Sequence, residues 1–322
     1  MLKLTHRRDL LVEPACHPRG QGHLSAASGL VQVGARCYVV ADDENHIGAL
    51  DPDGNDPVQL LRVLEGDLPD DKKARKAAKA DLETLVALRP TRAWPAGALF
   101  AIGSGSRPNR RRGVVLPLAG DGGIVVAARR VVDLAPLYAL LSSELATLNI
   151  EGAVVAGDDF VLLHRGNGVG GVNACIAYDA AQLLAWLAGD GAGRAPEPRS
   201  ITPHTLGAIA GVALAFTDAT ALPGGGWMFS AVAEASDDTY ADGASSGSVI
   251  GFVRADGVLG RMHVVADAPK IEGLSATVAD GCLCLLAVTD ADDPDLPSQL
   301  LSAELPFGAE LTGFGARRPH GR

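Results

Sequence analysis

The 322-residue chain contains no long uninterrupted apolar run although 47% of it is hydrophobic, and a membrane-spanning helix needs roughly 20 apolar residues in succession. No membrane segment is expected. The opening stretch MLKLTHRRDLLVEPACHP holds nothing resembling the apolar core of a secretion signal, so the expected location is cytoplasmic. Cysteine is scarce and scattered: Cys16, Cys37, Cys175, Cys282 and Cys284 form an odd set without a CxxC pair, which argues against a disulfide framework and against structural zinc. They read as core residues, and the tract Cys16, His17, His23 resembles a metal motif only loosely. An excess of basic residues is also missing. The net charge is −10, which disfavours nucleic acid and anionic membrane as partners and leaves a small molecule as the expected one. The acidity can instead gather at a cation site.

The chain has glycine, proline and short β-branched runs in abundance, with 39 glycines and 19 prolines. Such runs bounded by turns predict mostly strand. Two of them, NIEGA from 149 and KIEGL from 270, each place one glutamate among apolar residues. Three further segments align with them, beginning AASGLVQV at 26, ADLETLVAL at 80 and FTDATAL at 216. The aligned anchors are Ser28, Glu83, Glu151, Asp218 and Glu272, about 60 residues apart, a period that suits a four-stranded propeller blade. Each unit continues into further strand-like runs, except that the fifth is one strand short.

An all-β fold follows: a five-bladed β-propeller of four-stranded blades over residues 1–315, with a six-bladed ring as the alternative. KLTHRRDLLVE at the N-terminus supplies the missing outer strand and closes the ring, leaving few exposed edges. Insertions are expected between blades at 70–80, which is charged and helical in character, at 134–148 and at 179–191. The tail ARRPHGR, 316–322, reads as disordered.

The first strand of each propeller blade lines the central channel, so the anchors form a ring. Four carboxylates facing one another repel unless a positive group lies between them. A calcium ion, which takes six to eight oxygen ligands in flexible geometry, suits a ring of Glu, Asp and Ser better than zinc or magnesium does. Ser28, Glu83, Glu151, Asp218 and Glu272 are therefore the candidate metal ligands, and the small residues after most of them allow close approach of backbones near the axis. The second strands deliver polar residues to the same mouth. Asp42 and Asp43 are candidate general bases, Arg165 a candidate anion holder and His164 a candidate acid or base, with Glu44 nearby. Ser104, Arg107, Asn167, Glu234 and Asp290 are candidate substrate contacts, joined by Asp292 and Asp293. The loop GSGSRPNRRRG, 103–113, could cradle an anion, and 236–248 has the composition of a mouth loop.

On these residues the chain resembles the soluble calcium-activated nucleotidase (apyrase) family, whose five-bladed propellers carry Ser, Glu, Glu, Ser and Glu around one calcium. Here the anchors read Ser, Glu, Glu, Asp and Glu, and YVVADDE and LLHRGN are similar to that family's first-blade and third-blade strands. The resemblance covers about a third of the chain. It implies calcium as cofactor and a hydrolase of phosphorylated or anionic small molecules, while that family's long tryptophan-bearing nucleotide loops have no clear counterpart. The chain is also similar to an uncharacterised bacterial family of the same style. An esterase or lactonase propeller, with a more apolar mouth and a histidine placed like His164, and a non-catalytic binding propeller with structural calcium are the other readings.

Overall fold

The computed structural model describes residues 1–145, 147–166, 171–189, 191–235 and 244–309. Asn167, most of the loop 236–248 and the tail 316–322 lie outside them. Strand β1 (Thr5–Asp9) opens the chain. Blade one follows as β2 (Ala27–Val33), β3 (Arg36–Ala41), β4 (His46–Leu50) and β5 (Gln59–Arg62), and blade two as β6 (Leu82–Leu88), β7 (Ala98–Gly103), β8 (Arg112–Pro117) and β9 (Arg130–Asp133). Blade three comprises β10 (Ile150–Ala156), β11 (Asp159–His164), β12 (Asn173–Asp179) and β13 (Ser200–His204). Blade four has the two-residue β14 (Ala208–Ile209) before β15 (Val212–Ala221), β16 (Trp227–Ala235), β17 (Ala244–Val253) and β18 (Leu259–Val264). Blade five is β19 (Ile271–Ala279), β20 (Cys282–Thr289) and β21 (Gln299–Pro306), completed by β1.

Every blade is an antiparallel sheet, a meander in blades one to four and completed in blade five by β1, and five blades, not six, close the ring. Inner strands β2, β6, β10, β15 and β19 contact one another in that order, with β19 returning to β2. The apolar faces of the blades meet in five clusters, one at each junction between neighbours. Burial of these faces holds the blades in register around the axis. The 70–80 insertion forms helix α1 (Lys72–Ala78), capped by the Asp71 side chain on the amide of Ala74 at 2.8 Å, and α2 (Ala135–Ala139) also lies between blades. The third insertion differs from expectation. Helix α3 (Ala180–Ala188) connects β12 to β13 inside blade three, its Leu183, Trp186 and Leu187 packing into the junction with blade two. No helix among the described residues is long and apolar enough to cross a membrane.

Candidate functional site

Each inner strand carries a β-bulge at the same place, between Ala27 and Gly29, Leu82 and Thr84, Ile150 and Gly152, Phe216 and Asp218, and Ile271 and Gly273. A bulge leaves one residue unpaired and turns its side chain. In four blades the bulged residue is the anchor: Ser28, Glu83, Glu151 and Glu272. In blade four it is Thr217, so Asp218 lies one residue past the ring. Thr217 Oγ1 donates to Ile271 O at 2.8 Å, within hydrogen-bond reach of Ser230 Oγ.

Asp218 occupies the position that glycine holds in blades one, three and five, where neighbouring backbones nearly touch: a Cβ on Gly29 would lie 2.7 Å from Leu85 N, and one on Gly152 2.9 Å from Asp218 Cα. Its carboxylate is fully buried on the axis side and accepts from the amides of Leu274 at 2.8 Å and Leu30 at 3.4 Å. Burial holds the Asp218 carboxyl well above the usual range, although the amides of Leu274, Ala219 and Leu30 pull the other way. Asp218 thus ties the inner strands of blades one, four and five together and does not line the cavity. Replacing it with Ala strands two buried amides and should cost about 2–4 kcal/mol, while Asn keeps an acceptor oxygen and should lose much less. Equal melting temperatures for Asp218→Ala and the parent protein would refute this role.

Above this plug lies an open cavity of about 110 Å³. Ser28, Asp42, Asp43, Glu83, Glu151, Arg165, Glu234, Glu272 and Asp290 all line it, as do Asp292 and Asp293. Ser104, Arg107, His164 and Asp218 do not. Ser104 is fully buried and donates to Asp81 Oδ2 at 2.5 Å. Arg107 caps a short 3-10 turn, and of the four arginines in its loop only Arg110 reaches the cavity. His164 turns its Nδ1 to the backbone of Asn149, 3.1 Å from the carbonyl oxygen, and burial lowers its pKa. Glu44 points away, to His17 at 3.2 Å and Arg19 at 2.5 Å, while His23 bonds Pro294 O and Cys16 is exposed, so the Cys16–His17–His23 tract does not converge.

The wall also contains residues that the sequence reading passed over. Asp81, Asn149 and Lys270 stand two positions before the anchors of blades two, three and five, and all face the cavity. Lys79, the residue after α1, enters it as well. The lining holds ten carboxylates against six basic side chains and neither Cys nor His. Much of this charge is paired internally. Lys79 Nζ bonds Asp42 and lies 3.0 Å from Asp81 Oδ1 and 3.2 Å from Asp43 Oδ1. Lys270 Nζ lies 2.5 Å from Asp292, 3.3 Å from Glu272 and 3.4 Å from Glu234. Arg165 is buried and committed to Glu234 at 2.6 Å and Glu151 at 3.4 Å. Protein cations thus supply positive charge between the ring carboxylates.

Burial pushes Asp42 up to about 7 despite Lys79, with Asp43 and Asp81 adding to the rise. Burial also takes Glu151 to about 7 against the pull of Arg165. Glu83 is held well above the usual range by burial and by Asp81, Glu151 and Asp42. Burial opposes the charge of Lys79, yet Asp42, Asp81, Glu83 and Asp43 keep its pKa well above normal. Asp43 goes the other way: burial is outweighed by Lys79 and Arg75, the latter at 2.9 Å, and its pKa is lowered. Glu83 makes no hydrogen bond or ion pair among the described residues. Single ligand oxygens of Asp42, Asp81 and Glu83 lie within 4.8 Å of one another, a spacing compatible with one hard cation at about 2.3–2.6 Å from each.

Residues 23–305 match the model of a family of unknown function (DUF6929). The chain belongs to this family. No curated protein matches it. Among solved structures it is similar to Myxococcus xanthus glutaminyl cyclase, at 8% identity and a TM-score of 0.48 over 94% of this chain and 96% of that one. A Leishmania major protein gives 9% identity and 0.46 over 94% and 91%, and a streptogramin B lyase 11% and 0.36 over 86% and 93%. These likenesses are too distant to bring function with them.

Proposed function

We propose that the chain is a calcium-dependent hydrolase of a phosphorylated or otherwise anionic small molecule, working at the axial cavity. The observation that carries this reading is the Asp42, Asp81 and Glu83 cluster, three convergent oxygen ligands of which Glu83 makes no hydrogen bond or ion pair among the described residues. All-oxygen donors favour a hard cation over zinc. When bound, calcium would polarise a substrate oxygen as a Lewis acid.

The chain's own residues supply the rest. Ser104 and Arg110, the latter at 2.7 Å, fix one oxygen of Asp81, leaving the other toward the cavity. Arg165 is held by its glutamates, so the anion falls to Lys72, on α1 and lining the mouth. Glu151, raised to about 7 and outside the three-carboxylate cluster, is the general base, because a base titrating near the working pH is the most effective. Asp43 is unsuited to that role since Arg75 and Lys79 hold it ionised. The polar lining and the placement of His164 give an ester or lactone hydrolase less support. One observation favours a binding propeller without chemistry: Lys79, Arg165 and Lys270 already offset the ring charge.

The test is a panel of nucleotides, sugar phosphates, aryl phosphates and lactones, each with calcium and with a chelator. Calcium-dependent turnover of a phosphorylated member is expected. Glu151→Gln should then lower kcat by roughly 10²–10⁴-fold with calcium affinity little changed, and Glu83→Gln should abolish calcium binding measured by calorimetry. Turnover unaffected by chelation removes the calcium dependence, and no turnover at all removes the hydrolase reading.

A further inference from the structure

The α1 segment was legible as a charged insertion, yet its charges are ordered. Lys72, Arg75, Lys76 and Lys79 follow at spacings of three, four and seven, which places them on one face. That face is turned to the cavity: Lys72, Lys76 and Lys79 line it, and Arg75 grips Asp43 at its edge. Lys73 lies on the exposed side. The deepest reach belongs to Lys79, whose ammonium bonds Asp42 and Asp81, two of the three carboxylates in the convergent cluster. A divalent ion cannot take those oxygens while an ammonium sits on them without like-charge repulsion at contact distance.

Each neighbour of Lys79 is held differently. Asp81 keeps Arg110 and Ser104 on its second oxygen, and Asp43 keeps Arg75. Asp42 has no such support: its Oδ1 is buried without a hydrogen bond and its Oδ2 is bonded to Lys79. Removing the ammonium would therefore free Asp42 while leaving Asp81 in place.

We infer that the Lys79 ammonium is the resident counter-ion of the Asp42, Asp81 and Glu83 cluster and is displaced when a divalent cation enters. This rests on the cation reading above. Cation binding then competes with the Lys79 ion pairs, and the chain's own lysine sets the affinity threshold of the site.

The test is calcium titration by calorimetry at pH 8 of chelator-stripped protein, comparing the parent with Lys79→Met and Lys79→Arg. Lys79→Met should bind at least tenfold more tightly, and Lys79→Arg, which keeps the charge, no more tightly than the parent. A second measurement uses the unmodified chain: amine acetylation followed by mass spectrometry, with Lys73 as internal reference. Lys79 should be protected without calcium and react at least fivefold faster with it. A parent that binds calcium, with no gain in Lys79→Met and no change in Lys79 labelling, overturns the displacement and leaves the cation reading standing. Absence of calcium binding in the parent and in both variants overturns the two together. Should Lys79→Met fail to fold, the labelling of the parent chain decides.

Discussion

Removal of residues 1–12 is expected to lower the melting temperature by more than 10 °C. Strand β1 pairs with β21 from Thr5 opposite Ser302 to Asp9 opposite Gln299, so its loss re-exposes a strand edge. The segment does more than pair. Leu2 bonds the backbone of Val264 and Ala266 in blade four, Leu10 bonds Ser298 in blade five, and Leu11 O accepts from Val58 in blade one. The side chains of Leu2, Leu10 and Val12 are buried at the junctions of blade five with its two neighbours. Three buried aliphatic side chains contribute about 1.5–3 kcal/mol each, and about 1 kcal/mol shifts the melting point of a protein this large by about 2–4 °C or less. A truncated chain that melts within a few degrees of the intact one would show that closure is not where the ring is weakest.

This closure was legible because the fifth repeat lacked one strand and the N-terminus offered one. Blade count was legible for a related reason, since the anchor and the strand pair after it recur at regular spacing. The register of blade four was not. Both Thr217 and Asp218 are polar, and the bulge that selects Thr217 for the ring is a backbone event with no residue signature of its own.

The site was legible as a place more than as a mechanism. Four anchors, Ser28, Glu83, Glu151 and Glu272, do converge with Asp42, Asp43, Arg165, Glu234 and Asp290 on one cavity. The counter-charges were missed, although a signal existed for part of them: a polar residue, Asp81, Asn149 or Lys270, recurs two positions before the anchor in three blades, just ahead of the inner strand. Lys79 carried no such signal. A lysine in a helical run of lysines looks solvated until tertiary structure shows which one turns inward. Arg165 illustrates the converse. Its residue type suited anion binding, and only the packing of Glu151, Glu234 and Glu272 around it shows that its charge is already committed.

The same packing leads to an expected dependence of stability on pH. Asp42 rises from 3.8 to about 7 on folding, and Glu151 from 4.5 to about 7, burial being the largest cause in each. A carboxyl whose pKa is raised in the folded state stabilises the fold fully below its unfolded value, and that stabilisation is lost as pH climbs through the folded value. The window therefore runs from about pH 4 to about pH 7. Glu83 and Asp290 are raised in the same direction, while Asp43 is lowered and opposes them only at acid pH. Lys79, Lys270 and Arg165 are held above their ordinary values and remain charged throughout. One pKa unit corresponds to about 1.4 kcal/mol, so Asp42 and Glu151 together put several kcal/mol at stake. In chelator-treated protein the melting temperature should fall by about 10 °C between pH 5 and pH 8. Calcium should reverse most of that fall at pH 8, above the pKa of Asp42 and Glu151, and little at pH 5, where it must expel their protons. Glu83→Gln should retain the pH dependence that Asp42 and Glu151 carry while losing the calcium response. A melting temperature that is flat from pH 5 to pH 8 would mean that the ion pairs with Lys79, Arg165 and Lys270 neutralise the cavity on their own. A calcium effect equal at both ends would place the ion away from these carboxylates.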